Sequence, residues 1–375
     1  MTGFPRTSLT GMIHPTTPKI RNTGIDNIKA VLIFLVVFGH LIEIYVGEDH
    51  VLRSIWIFVY SFHMPMFALM SGMFSKASWD DKNATQLIST VLVPLIGFEI
   101  IYEATEFALK GAGSVYAGLV APYWMLWYLL SLLCWRLLLP LFSRMQFGVM
   151  LALALSLAGS YSEHAGYFLG ISRTLIFFPY FLLGWKLGPE VFNVKKKERL
   201  LISTVVVITA FIAAFMLKSD FDYRWFYGSY SLHRLEMANL TGSMYQLLQY
   251  AASTVIGLSV LYLLAQKDLR LAQIGKRSIY VLVWHGMALI ILQETGVLRA
   301  IFKYENTVAL AISALVSMAI TWICAHEKTE ALTKRLILAP LAWLLIPQAA
   351  SKPASLEIDA RDAQDVQEKP LRQEP

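Results

Sequence analysis

Charged residues and cysteines are scarce in this chain of 375 residues. Only 15% of the residues are charged and 56% are hydrophobic, whereas an ordinary soluble domain carries about 25% charged residues. Such a composition leaves too little polar surface for a soluble globular protein. It predicts a polytopic membrane protein with the lipid bilayer as its surroundings.

Several familiar ligand-binding motifs are missing from the sequence. We find no glycine-rich dinucleotide fingerprint, no P-loop and no paired-cysteine metal motif. The two cysteines, Cys134 and Cys324, lie in or at the end of apolar runs, which is typical of small buried hydrophobic residues. We therefore expect no bound metal. The first 24 residues also lack the pattern of a cleavable signal peptide, so the first membrane span is expected to stay in the mature protein.

Long apolar runs recur along the chain, each near the ~20 residues that a helix needs to cross a bilayer. They are continuous rather than alternating, which excludes a closed β-barrel. The sequence therefore predicts an all-α, polytopic membrane helical bundle of about ten transmembrane helices. The predicted spans are 27–45, 54–74, 86–107, 123–142, 147–161, 168–187, 200–217, 244–264, 278–294 and 306–324.

The distribution of lysine and arginine predicts the orientation. With the N-terminus inside, 24 of the 32 basic residues fall in inner segments, as the positive-inside rule requires. We expect a multi-pass protein of the cell inner (plasma) membrane whose net charge of +6 needs no nucleic-acid partner. The predicted organisation is a cytoplasmic segment 1–24, a transmembrane domain 25–347, and a polar, disordered cytoplasmic tail 348–375.

The first span carries four ionisable residues, Asp26, Lys29, His40 and Glu43. Lys29 and His40 are three helical turns apart, a rise of ~16 Å, so both lie on one face of the helix. Asp26 lies one turn before Lys29, and Glu43 lies one turn after His40, so both are close to the same face of the helix. Polar groups at such depth normally face a protein interior or a water-filled cavity, which predicts a functional site.

Histidines in the first two spans are the candidate catalytic groups. A neutral imidazole takes up a proton near neutral pH, so His40 is a candidate general base, and Glu43 would fix its tautomer. His63 in the second span is expected at a similar depth, and Pro65 is expected to kink the helix beside it. For both histidines the alternative is a structural side chain hydrogen-bonded to a neighbouring helix.

Five sequence segments resemble the integral-membrane acyltransferase family 3, the sugar and peptidoglycan O-acyltransferases. Lys29 and His40 look like the family's Arg/Lys-x10-His signature. The form of the first two segments is similar to the fucose 4-O-acetylase-like branch. The segments are "GIDNIKAVLIFLVVFGH", "SFHMPMFALMSGMF", "YWMLWYLL", "FFPYFLLGWKLG" and "IGKRSIYVLVWH".

The resemblance implies an O-acetyltransferase that uses cytoplasmic acetyl-CoA as donor and a hydroxyl of a cell-surface glycan or glycolipid as acceptor. It places Lys29, with Asp26 nearby, at the donor and His40 at the reacting hydroxyl. Direct transfer with His40 as base and a transient acyl-His40 relay both remain open. The chain departs from the family pattern in having Lys29 instead of arginine, and in lacking the arginine pair that many members carry before the third span.

Other polar residues are candidates for binding substrate. Glu99 and Glu103, near the outer end of the third span, could hold acceptor hydroxyls or merely pair within the bundle. His285 matches a late histidine of the family. Arg173 could contact substrate or anchor its helix at the interface, and Trp225 lies in an aromatic outer loop that suits a sugar ring or a membrane interface.

A second class of function uses the same buried charges. A transporter or glycan-export component would need them as a proton relay. Transporters of this kind tend to show inverted repeats and paired broken helices, and no repeat of fixed period is visible in this sequence.

Overall fold

The computed structural model describes residues 23–47, 49–111, 122–163, 168–192, 195–217 and 221–341. Within these residues the chain forms helices and turns, with no β-strand. Most of the predicted segment 1–24 and the whole predicted tail 348–375 lie outside the described residues, so those two boundaries stay predictions.

The α-helices are numbered in chain order. They are α1 Thr23–Glu43, α2 His50–Tyr60, α3 His63–Met73, α4 Asp81–Leu87, α5 Val93–Lys110, α6 Trp127–Phe142, α7 Gly148–Ser160, α8 Ile171–Leu187, α9 Lys197–Met216, α10 Leu240–Ala265, α11 Ala272–Lys276, α12 Ser278–Glu294, α13 Val297–Ile301, α14 Asn306–Cys324, α15 Glu327–Thr333 and α16 Ala339–Leu341. Short 3-10 turns cover Trp124–Leu126, Phe168–Gly170, Pro189–Phe192 and Tyr223–Tyr227, and π turns cover Ile88–Leu92 and Lys334–Leu338.

Side-chain caps and glycines mark several helix ends. Asp49, Asp80 and Asn239 each accept a hydrogen bond from a backbone N–H in the first turn of the helix that follows. Gly111 and Gly188 follow the last residues of α5 and α8 with φ of 76° and 66°, which glycine adopts at no steric cost. The helix boundaries are thus encoded locally.

Seven helical segments among the described residues are long and apolar enough to cross a membrane. They confirm an all-α, multi-pass membrane protein. Three of the ten predicted spans correspond to the shorter helices α7, α8 and α12, of 13, 17 and 17 residues, so the count of ten stays a prediction. The seven segments are Thr23–Glu43, His50–Met73, Asp81–Leu109, Trp124–Phe142, Lys197–Met216, Leu240–Ala265 and Asn306–Cys324.

Helix α1 lies at the centre of the bundle. It packs against α2, α3, α10, α11, α12 and α14. In its most apolar stretch of 18 residues 72% of the residues are buried, compared with 11% in the corresponding stretch of α9. The peripheral α9 exposes side chains such as Ile202, Val205 and Phe211, as a lipid-facing helix does. The polar residues of α1 are therefore surrounded by protein rather than lipid.

Helices α3 and α8 approach closely because each places a glycine at the contact. A Cβ atom on Gly72 would lie 1.9 Å from the carbonyl oxygen of Phe181. A Cβ atom on Gly184 would lie 1.9 Å from the carbonyl oxygen of Leu69. Small residues at such positions allow membrane helices to pack backbone to backbone, and this contact fixes α8 against the helix that carries His63.

The second span is broken at Ser61 and Phe62, so α3 begins at His63. Pro65, near the start of α3, has no backbone N–H to continue the ladder from α2. The predicted kink is therefore present, but it precedes His63. The break leaves the backbone irregular inside the protein, which a membrane protein tolerates only where the chain is buried or lines a cavity.

Candidate active site

The end of α1 places an imidazole beside a carboxylate. His40 Nδ1 lies 2.9 Å from Oε2 of Glu43, which is three residues further along the same helix. The hydroxyl of Tyr60 from α2 donates to the same oxygen at 3.0 Å and lies 3.3 Å from His40 Nδ1. Both side chains are partly exposed, at 17% for His40 and 21% for Glu43, so the pair is not fully sealed inside the bundle.

This arrangement selects one form of the His40 ring. Because a carboxylate only accepts hydrogen bonds, Nδ1 of His40 carries the proton that Glu43 accepts. Nε2 then holds the free lone pair, as a general base requires. Trp124, whose ring centroid lies 5.5 Å from that of His40, packs against another side of the imidazole.

Two more histidines lie near His40 and are completely enclosed. His63 is 1% exposed and His285 is 0% exposed. Each donates its Nδ1–H to the carbonyl oxygen four residues earlier, His63 to Val59 at 2.9 Å and His285 to Val281 at 2.8 Å. The rings of His40 and His285 are nearly parallel, with centroids 5.8 Å apart.

The three histidines share one small cavity of about 40 Å³, which we call the outer cavity because α1 ends beside it. Arg173 from α8 and Tyr227 from the 221–239 loop also line it. The remaining lining side chains are Val36, Tyr60, Met64, Met125, Trp127, Tyr128, Phe177, Phe226 and Leu282. The lining, mostly apolar with a few convergent polar groups, is of the kind found at ligand sites, whereas the volume is that of a few water molecules, well below the roughly 300–1,000 Å³ of most ligand pockets.

A larger cavity of about 420 Å³ lies toward the end of the bundle where α1 begins, and we call it the inner cavity. Three basic residues from three parts of the chain line it: Lys29, Arg136 and Lys276. No Asp or Glu is among its lining residues. Its lining therefore favours an anionic ligand.

A cavity of about 300 Å³ adjoins the inner cavity. The two share Phe74, Gln86 and Arg136 as lining residues, and Lys76 and Trp79 line the smaller one. Lys29 Nζ lies 4.3 Å above the Phe74 ring.

The inner and outer cavities share two lining residues, Tyr128 and Leu282. The Tyr128 hydroxyl donates to the carbonyl of Phe67 at 3.0 Å and lies 2.7 Å from the Ser71 hydroxyl, so its ring is held in place. The two cavities therefore adjoin at Tyr128 and Leu282, which form the constriction that a ligand reaching from the basic inner cavity to His40 would have to pass.

The outer loop contributes different aromatic residues from the one predicted. Phe226 and Tyr227 line the outer cavity, whereas Trp225 is not among its lining residues and packs against Tyr245. Burial raises the pKa of the Tyr227 phenol, and the neighbouring Glu43 carboxylate raises that pKa further. Tyr227 is therefore a neutral hydrogen-bond donor.

Arg173 faces the site rather than the membrane interface. Its Nε donates to the carbonyl of Tyr227 at 3.1 Å, and its guanidinium lies 5.0 Å from the Trp127 ring centroid. The loop is thus tied to α8 beside the outer cavity, and Arg173 is well placed for the predicted substrate contact.

The predicted carboxylates of α5 lie away from both cavities. Glu99 accepts the backbone N–H of Tyr123 at 3.0 and 3.1 Å, and the buried Glu106 accepts the Tyr123 hydroxyl at 2.5 Å. Glu103, which is half-buried, lies on the same helix. These contacts favour the structural alternative for Glu99. Glu99 holds the backbone at Tyr123, and the next residue, Trp124, packs against His40.

Asp26 is also removed from the inner cavity. It is 3% exposed, and its backbone carbonyl lies against Gly275 of α11. Lys29, one turn later, does line the cavity. A contact of Asp26 with the donor therefore has less support than one of Lys29.

Sequence reasoning overlooked Tyr60, Tyr128, Tyr227, Arg136 and Lys276 as site residues. Arg136 and Lys276 were counted among the basic residues that predict the orientation, but neither was predicted to line a site. Arg136 lies within an apolar span, and a charge in that position is a recognisable signal. The tyrosines gave no such signal, because tyrosine is common in membrane proteins. Over the described residues, no cluster of three or more histidine, cysteine or acidic side chains is arranged to hold a metal ion.

The fold and site define a multi-pass membrane protein with a histidine–carboxylate pair at a small cavity that adjoins a larger basic cavity. A family model described as an acyltransferase domain, acyltransferase family 3, matches residues 22–326, and the chain belongs to this family. The family assignment predicted from the sequence is confirmed, while membership of the fucose 4-O-acetylase-like branch stays a prediction.

Two curated relatives are similar to part of the chain. Nodulation protein NolL of Mesorhizobium japonicum is 27% identical over 163 residues, covering 38% of this chain and 43% of the relative. Nodulation protein NolL of Sinorhizobium fredii is 29% identical over 126 residues, covering 30% of this chain and 34% of the relative. The chain thus aligns with less than half the length of these relatives. No solved structure gives a significant match.

Proposed function

We propose that the protein is a membrane O-acetyltransferase that moves an acetyl group from cytoplasmic acetyl-CoA to a sugar hydroxyl of a cell-surface glycan or glycolipid. Membership of the acyltransferase family supports the reaction class. The observation that carries the proposal is the pair of adjoining cavities: one basic and suited to a polyanionic donor, the other holding an imidazole with a free lone pair.

The donor enters from the inner side. The phosphates of CoA bind at the basic inner cavity, where Lys29, Arg136 and Lys276 supply positive charge. The pantetheine arm extends past Tyr128 and Leu282, so that the thioester reaches the outer cavity. Asp26, buried one turn before Lys29 on α1, supports Lys29 rather than touching the donor.

The acceptor enters from the outer side. A sugar hydroxyl is too weak an acid to attack a thioester unaided, so His40 Nε2 removes its proton while the oxygen attacks the carbonyl carbon. The carbon–sulfur bond then breaks, and the imidazolium returns the proton to the CoA thiolate. Glu43 stabilises the imidazolium, as a carboxylate does in other histidine-based sites.

Arg173, predicted from the sequence, and Tyr227, found in the structure, contact the sugar. Trp225, Glu99 and Glu103 do not line either cavity, so they would meet only distal parts of a larger glycan acceptor. His63 limits the outer cavity beneath Tyr60, where the two ring centroids are 4.4 Å apart.

The test is transfer of radiolabelled acetyl from acetyl-CoA to bacterial surface glycans by the purified protein in lipid nanodiscs. Wild-type protein is expected to label glycan, and His40→Ala is expected to lose at least about a hundredfold in rate, the usual contribution of a general base. His233→Ala is the matched control, because His233 pairs with Glu163 at an exposed site. Failure of the wild-type protein to acetylate any hydroxyl acceptor, or near-normal transfer by a folded His40→Ala variant, would overturn the proposal.

A further inference from the structure

The buried ring of His285 has one hydrogen-bonding atom in use and one without a partner. Its Nδ1–H donates to the Val281 carbonyl at 2.8 Å. Its Nε2 is fully buried and has no hydrogen-bond partner among the described residues. A buried acceptor without a partner costs stability. A bound ligand that donates a hydrogen bond to Nε2 would remove this cost.

The tautomer of His285 decides which ligand group fits. Since Nδ1 carries the proton, Nε2 presents a lone pair and can only accept a hydrogen bond. An ionised ring would be an uncompensated buried charge, which is strongly unfavourable. The complementary group is therefore a neutral donor such as an amide N–H or a hydroxyl.

The position of His285 shows which of these two groups, the amide N–H or the hydroxyl, lies within reach of Nε2. Leu282, one turn earlier on α12, lines both cavities at the constriction, and Val283, Tyr280 and Ile279 of the same helix line the inner cavity. His285 is thus the next lining residue of α12 on the route from the inner side. The acceptor hydroxyl belongs on the other side, near Arg173 and Tyr227.

The pantetheine arm of a CoA thioester carries an amide N–H close to the reacting carbon. Four bonds separate the thioester carbon from the amide nitrogen, a reach of about 5 Å when extended. The rings of His40 and His285 are 5.8 Å apart. A thioester beside His40 therefore brings this N–H to the level of His285.

We propose that Nε2 of His285 accepts a hydrogen bond from the thioester-proximal amide N–H of an acyl-pantetheine donor and so positions the thioester against His40. The inference rests on the proposed function and deepens it. His285 is then a donor-specificity residue, selecting thioesters of the pantetheine class over thioesters that lack this amide.

The experiment compares acetyl-CoA with an analogue in which oxygen replaces the N–H of that amide, a nearly isosteric change that removes the donor and puts an acceptor in its place. Wild-type protein in nanodiscs is expected to prefer acetyl-CoA by at least about tenfold in kcat/KM, the usual effect of one buried hydrogen bond. In His285→Phe the ratio should fall to near one, because acetyl-CoA drops to the level of the analogue. His285→Gln, whose carbonyl oxygen still accepts, should keep most of the preference.

Several outcomes would overturn this inference while leaving the proposed function intact. They are equal use of both donors by the wild-type protein, an undiminished preference in folded His285→Phe, and an equal loss with both donors. If His285→Phe fails to reach the membrane, the wild-type ratio and His285→Gln still decide. A wild-type protein that uses neither donor would instead refute the proposed function.

Discussion

Glu43 joins side chains from three parts of the chain around one carboxylate. It accepts hydrogen bonds from His40 in its own helix and Tyr60 in α2, and it lies beside Tyr227 of the outer loop. A carboxylate held by several donors cannot rotate freely. The His40 ring is thus fixed in orientation as well as tautomer before any substrate binds.

Replacement of Glu43 by glutamine should slow the chemical step. Glu43→Gln keeps the shape of the side chain but removes the charge that stabilises the imidazolium, so kcat should fall by at least about tenfold with little change in the KM for acetyl-CoA. Steady-state kinetics in nanodiscs provide the measurement. Glu163→Gln, which alters the exposed His233–Glu163 pair, should behave as wild type. An unchanged kcat in Glu43→Gln would mean that Tyr60 alone orients the ring.

Lys29 should affect donor binding rather than chemistry. Lys29→Ala removes one of three cations from the inner cavity and should raise the KM for acetyl-CoA about five- to tenfold. Lys29→Arg should keep substantial activity because the charge remains. The exposed Lys82 lies outside both cavity linings, so Lys82→Ala is the control. A large fall in kcat at unchanged KM in Lys29→Ala would place this residue in the chemistry instead.

The sequence could predict contacts within one helix, but contacts between helices were beyond it. His40 and Glu43 are three residues apart, so helix geometry alone brings them together. Tyr60 and Arg136 reach the cavities only through the rotation and depth at which separate helices pack. Neither the rotation nor the depth of a helix can be deduced from a repeating pattern in a single sequence.

Irregular helical segments line the inner cavity. The π turn Ile88–Leu92 contributes Ser89, Thr90 and Val91 to the inner cavity, and the π turn Lys334–Leu338 contributes Leu338. Such turns often mark functional sites, because they redirect side chains and loosen the hydrogen-bond ladder. Hydropathy predicted the helices themselves well, but it is blind to these local changes in winding.

Tight packing of α3 on α8 should be sensitive to a single methyl group. Gly72→Ala would bring a Cβ atom within 1.9 Å of a backbone oxygen, and relief of such overpacking typically costs about 1–3 kcal/mol. The variant should show a lower melting temperature and less folded protein in the membrane. Gly47, whose added Cβ would meet nothing within 4 Å, provides the control substitution Gly47→Ala. Equal stability of the two variants would show that α3 and α8 separate without penalty.

Across the whole molecule, opposite ends of the bundle differ in chemistry. One end gathers Lys29, Lys76, Arg136 and Lys276 around two cavities. The other end places His40 and Glu43 beneath an aromatic loop that folds back on α8. This polarity suits the proposed reaction, in which a charged donor and a glycan acceptor approach from opposite ends of the bundle, while the orientation in the membrane stays a prediction.

Cysteine labelling in intact cells tests that orientation directly. In a background with Cys134→Ala and Cys324→Ala, Ala238→Cys in the exposed part of the outer loop should react with a membrane-impermeant maleimide. Lys195→Cys, exposed before α9, should react only after the cells are opened. Ser229 belongs to the same outer loop but is 1% exposed, so Ser229→Cys should stay unlabelled on either side until the protein unfolds. The reverse pattern for Ala238 and Lys195 would invert the molecule in the membrane, put His40 on the cytoplasmic side, and require the donor to bind outside.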